Sequence, residues 1–105
     1  MLVGALLRRV DGAGGFAMII QKGDPIGGVI MIQAMEKGQF RGFFERMTDL
    51  SGKQSMVACG PAVDSQDTEK SDYISRRRRS DPDLWLVELD VAEAERFAAD
   101  TLCND

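Results

Sequence analysis

The sequence contains no histidine. That removes Ser-His-Asp and Cys-His nucleophilic schemes, His-ligated metals, and the commonest general base. Only two cysteines occur, Cys59 and Cys103. They cannot complete a four-ligand zinc site, and they form no Cys-x-x-Cys pair. No apolar run approaches the ~20 residues needed to span a bilayer. The opening residues 2–7 are too short for a signal-peptide core, and the basic pair Arg8-Arg9 follows them instead of preceding them. With so few cysteines, a reducing cytoplasm is the expected compartment. No metal or cofactor is expected.

A chain of 105 residues suggests one domain over residues 1–105. Area scaling lets such a chain bury about 65% of its extended surface, enough for one unaided core. The net charge of −4 is unevenly spread. Residues 1–60 hold seven Lys/Arg against five Asp/Glu, and residues 61–105 hold six against twelve. An acidic chain is a poor match for a nucleic-acid backbone, so nucleic-acid binding is not favoured.

Apolar periodicity divides the chain into eight elements. Val3, Leu6, Leu7 and Val10 recur at helical spacing, and the helix stops in Asp11-Gly12-Ala13-Gly14-Gly15. Phe16–Gln21 and residues 28–35 are apolar runs of strand length around Lys22-Gly23-Asp24-Pro25, and together they read as a hairpin. Residues 39–47 form a third strand, with Gly42 marking a bulge. A loop containing Gly52 leads into a short strand, Gln54–Cys59, which Gly60-Pro61 ends. Residues 67–79 read as an exposed helix, stopped by Asp81-Pro82. In residues 84–89, Trp85, Val87 and Leu89 share one side of a half-buried strand, expected near an edge. Asp90 with Glu93 then reads as a capping pair for a closing helix whose apolar face is Val91, Ala94, Ala98 and Leu102. The expected class is α+β. A mostly antiparallel sheet of about five strands carries two packed helices and one exposed helix, in the order α-β-β-β-β-α-β-α.

Several segments occur in an order that resembles a known family. They are Leu6-Leu7-Arg8-Arg9-Val10, Ala13-Gly14-Gly15-Phe16-Ala17, Lys22-Gly23-Asp24, Gly60-Pro61-Ala62 and Arg79-Ser80-Asp81-Pro82-Asp83-Leu84-Trp85. Together they are similar to a small alphaproteobacterial family classed as a domain of unknown function. Ser80 stands where that pattern has an aromatic. The resemblance implies a bacterial cytoplasmic setting and carries over no functional residue.

Two features stand out chemically. Arg76, Arg77, Arg78 and Arg79 offer guanidinium forks for phosphate, and Asp81 and Asp83 lie beside them. An anion-binding or phosphoester-processing role is therefore one reading. The simpler one is a basic last turn that complements the helix dipole and pairs with Asp72, Asp81 and Asp83. Asp81 and Asp83, with Glu88 and Asp90 downstream, also raise a divalent-cation site, though no phosphate-binding loop accompanies them. Cys59 reads as a small core residue, which Arg neighbours would have to activate before it acted as a nucleophile.

The second feature is the first strand pair, apolar on both faces. Residues such as Met18, Ile20, Met31 and Ile32 exceed what two amphipathic helices cover. Self-association through such a Met-rich surface is the expectation. The function expected is binding, not catalysis, by a homodimer.

Overall fold

The computed structural model describes residues 2–103. Its elements are α1 (Leu2–Gly12), β1 (Phe16–Gln21), β2 (Ile30–Glu36), β3 (Gln39–Thr48), β4 (Gln54–Cys59), α2 (Asp67–Ser80), β5 (Trp85–Asp90) and α3 (Ala94–Leu102). This is the expected α+β order. The five strands form one sheet in the order β1-β5-β2-β3-β4. Every pairing is antiparallel except β2 with β5, which is parallel.

Two expectations are corrected by that order. β1 and β2 do not pair with each other, because β5 is inserted between them. The strand expected to be half-buried near an edge, β5, does lie one place in from the edge, but it is paired on both sides and covered on both faces. The cause is visible in side-chain composition. Ile30, Met31 and Ile32 on β2 and Trp85, Leu86 and Val87 on β5 are all buried, as strands covered on both faces require. β1 is left at the margin.

Helices α1 and α3 cover one face. Val3, Leu6 and Val10 meet Ala94, Ala98 and Leu102 over Ile30, Ile32, Ala34, Trp85, Val87 and Leu89. The α1 helix ends where Gly14 takes φ 82° and the Gly15 N–H returns to the Val10 carbonyl at 3.0 Å. Helix α2 lies on the opposite face, where Tyr73 and Ile74 pack against Met31, Phe43, Leu84 and Leu86. Splitting the helices between faces gives the second face a cover, but only over part of its width.

The β2–β3 turn is fastened to the last residue of β5. Lys37 (φ 51°) and Gly38 (φ 79°) form a tight two-residue turn. Their backbone N–H groups donate to the Asp90 carboxylate at 2.7 and 2.9 Å. The expected Asp90–Glu93 capping pair is therefore absent: Asp90 is spent on the hairpin. Glu93 opens α3 from the left-handed region, at φ 56°, with no side-chain cap. The bulge expected at Gly42 is present, at φ 129° opposite the register shift between Ala34 and Met35.

Candidate functional site

Helix α2 forms because its polar run is ordered by charge. Asp67 and Glu69 lie in the first turn and Arg77, Arg78 and Arg79 in the last, each sign at the helix end it stabilises. No residue of α2 is fully buried. The helix is held by a small cluster on its inner face. Both terminal nitrogens of Arg77 donate to the Glu45 carboxylate of β3, at 2.8 and 3.4 Å, and one also donates to the Tyr73 hydroxyl at 2.8 Å. The Tyr73 ring lies 5.4 Å from that of Phe43, and the Lys70 ammonium lies 4.4 Å from the Phe40 centroid. Gly60 makes room for this cluster. A Cβ there would sit 2.6 Å from the Tyr73 ring, and its φ of 71° favours glycine.

Cys59 belongs to the same cluster, beside Tyr73 and Arg77. Burial pushes its thiol above the ordinary value, and this outweighs the opposing hydrogen bond to Tyr73 and the charge of Arg77. Glu45 takes up that charge at 2.8 Å, so the arginine does not create a thiolate. Tyr73 is likewise raised, first by burial and then by its contact with Cys59. The Arg77 guanidinium is held firmly in its charged form by Glu45.

The four arginines do not act as one group. Arg77 points inward. Arg76 and Arg79 line an outer groove of about 770 Å³ with Glu69, Asp72, Tyr73 and Pro61. Arg78 belongs to neither set. The ion pairs expected with Asp72, Asp81 and Asp83 are not formed among the described residues. The Asp81 side chain instead accepts the Asp83 N–H at 3.2 Å, and the Asp81 N–H closes α2 on the Arg77 carbonyl. Asp90 is committed to the β2–β3 turn, and Glu88 accepts from the Gln33 amide at 3.3 Å. Among the described residues, no three His, Cys, Asp or Glu side chains converge as a cation site would require.

The corner that carries the family-like segments is built on backbone. The Asp24 N–H donates to the Asp83 carbonyl at 3.1 Å, and the Asp24 carbonyl accepts the Trp85 indole N–H at 2.8 Å. Lys22-Gly23-Asp24 and Asp81-Pro82-Asp83-Leu84-Trp85 are thus two sides of one packed joint.

The sheet margin is different. On β1, Phe16 is 58% exposed, Met18 45%, Ile20 42% and Ile19 37%. Phe16 and Met18 lie opposite Asp90 and Glu88, on the face that α2 reaches only in part. Of the expected interface residues, Met18 and Ile20 are thus available. Met31 and Ile32 are not: both are fully buried in β2, one beneath α2 and the other beneath α1 and α3. Glu45 and Gly60 had no local signal in the sequence, because their partners lie 13 or more positions away; Tyr73 had only its one-turn spacing from Arg77.

Among the described residues, no helix is long and apolar enough to cross a membrane. Comparison with solved structures finds a crystal structure of a DUF1491 family protein from Caulobacter crescentus, 29% identical, with TM-score 0.76 over 90% of this chain and 88% of that one. An NMR structure of a DUF1491 family protein from the same organism is 30% identical, with TM-score 0.73 over 91% and 86%. The solution structure of protein Atu0922 from A. tumefaciens is 27% identical, with TM-score 0.66 over 87% and 82%. No curated protein matches the chain. The profile of the family described as "Protein of unknown function (DUF1491)" matches residues 1–99, and the chain belongs to that family.

Proposed function

We infer that the chain is a non-catalytic binding domain of the bacterial cytoplasm that works as a homodimer through its β1 edge. The observation that carries this reading is the exposure of Phe16, Met18, Ile19 and Ile20 on a single edge strand. Phe16–Gln21 contains no charge and no proline, two of the devices that keep an edge from pairing, and its register shift comes only at its end, between Ile19 and Gln21. Such an uncharged strand is complementary to itself. Antiparallel pairing of two copies about Met18 sets Ala17 against Ile19 and keeps Phe16 and Met18 on one face, an isologous contact. The arginine cluster gives less support to an anion or phosphoester site, because its members diverge and Glu69 and Asp72 share the groove of Arg76 and Arg79.

Sedimentation at micromolar concentration tests the reading. The expected result is a dimer that Met18→Lys together with Ile20→Lys converts to a monomer, with no loss of fold. A strictly monomeric wild-type protein would overturn it.

A further inference from the structure

The outer face of α2 carries charges in the order acid, acid, base, base. Glu69, Asp72, Arg76 and Arg79 follow one another at i, i+3, i+7 and i+10 and border one groove. At about 100° per residue these positions span roughly 80° of the helix circumference, a single stripe. None of the four forms an ion pair within the described residues, not even Asp72 with Arg76 one turn away. The stripe is turned away from the sheet, because Tyr73, Ile74 and Arg77 occupy the inner face.

We propose that this stripe is a second docking surface for another copy of the chain, with the two α2 helices antiparallel about a two-fold axis level with position 74, on the face opposite the Ile74 side chain. In that register Glu69 meets the other copy's position 79 and Asp72 meets its position 76. The symmetry repeats both, so four acid–base contacts form at once. Parallel pairing sets like charges together, so the charge order selects the antiparallel arrangement. Pro61 and the edge of the Tyr73 ring, which share the groove, supply apolar contact beside the charges. β1 and the groove lie on different parts of the molecule, so the two contacts do not compete. This inference rests on charge order and stands whether or not β1 pairs.

The experiment uses the full chain carrying Met18→Lys and Ile20→Lys, which removes the β1 contact and leaves α2 as the only proposed one. Its association is followed by sedimentation equilibrium up to millimolar concentration at 50 and 500 mM NaCl. Association is expected, weaker at high salt because exposed pairs are screened. Arg76→Glu with Arg79→Glu should weaken it by about tenfold or more, the combined worth of four exposed pairs. Glu69→Arg with Asp72→Arg should do the same. In the doubly substituted background the net charge is −2, from −4 plus two lysines, and this variant carries +2, so the magnitude of the charge is unchanged and its loss cannot come from general repulsion. All four reversals together restore the complementary order and should restore association. Circular dichroism checks that each variant keeps its helix, and the neutral Arg76→Gln with Arg79→Gln gives the same test where a reversal melts α2. Salt-independent association, no association at all, or a fourfold reversal that fails to recover while folded would each overturn the proposal. A wild-type chain that is monomeric at micromolar concentration, with the α2 contact still found at millimolar, would remove the β1 reading alone.

Discussion

The indole N–H of Trp85 donates to the backbone carbonyl of Asp24 at 2.8 Å, across 61 positions of sequence. That bond ties the crossing between β1 and β2 to the start of β5, the strand that separates them. Gly23 and Gly28 flank the same joint, and a Cβ on either would collide with the Asp83 carbonyl oxygen. The glycines are present because backbone lies on backbone there, with no space for a side chain.

Two substitutions of unequal cost follow. Trp85→Phe keeps most of the buried ring but leaves the Asp24 carbonyl with only the longer bond from the Gly28 N–H, at 3.3 Å, and about 1–2 kcal/mol of stability should be lost. Gly28→Ala forces the crossing loop off Asp83 and should cost more, about 3 kcal/mol. Urea denaturation ranks them. Equal, small losses would show that the joint is looser than its geometry.

These contacts explain what the sequence could reveal. Helix α1, the strands and the closing helix follow from spacing alone, because each buries a stripe or face of its own side chains. Strand order does not. Nothing local in Trp85-Leu86-Val87 says that it enters between β1 and β2; only burial on both faces does, and its neighbours Glu88 and Asp90 mask that signal. Asp90 followed by Glu93 has the form of a helix cap, yet a turn 53 positions upstream takes the carboxylate. The arginine run is equally misleading. Its one anchored member is chosen by Glu45, which is distant in sequence, so four adjacent arginines divide among different tasks.

The Asp90 contact makes a prediction of two opposite signs. Asp90→Ala leaves the Lys37 and Gly38 amides without their acceptor, and should cost about 1–2 kcal/mol. Lys37→Gly, at a position already in the left-handed region, should stabilise the protein by about 1 kcal/mol, because lysine is strained there and glycine is not. Thermal melts of both variants check the pair. A destabilised Lys37→Gly would mean that the turn takes another form in solution.

Arg77 and Glu45 are each about four-fifths shielded in the side chain, and they are the main polar link between α2 and the sheet. Glu45→Ala leaves the largely shielded guanidinium with only the neutral Tyr73 and Cys59 as partners, and should cost about 1–3 kcal/mol. Arg78→Ala touches neither the groove nor the cluster and should fall within about 0.5 kcal/mol of wild type. Hydrogen exchange locates the effect: in Glu45→Ala the α2 amides should exchange faster while those of β2 and β5 change little. Uniform acceleration across the sheet would show that α2 opens only with the whole fold.

The last prediction concerns alkaline pH. Burial raises the thiol of Cys59 and the hydroxyl of Tyr73 above their ordinary values, so the folded chain holds both protons longer than the unfolded chain does. The sign follows from linkage. The unfolded thiol ionises near pH 8.5 and the unfolded phenol near 10, and above each value the unfolded state is favoured by the proton it has released. Stability should be level through neutrality, begin to fall above about pH 8.5, and fall further above about 10. Cys59→Ala should delay the onset to the tyrosine range. Urea midpoints between pH 7 and 10.5 for the two proteins measure this directly. The same raised thiol should alkylate more slowly than a free cysteine at pH 7.5, and Cys103→Ala isolates that rate. Fast labelling of Cys59 in the folded Cys103→Ala protein would show a thiolate in the cluster, and would contradict the neutralisation of Arg77 by Glu45.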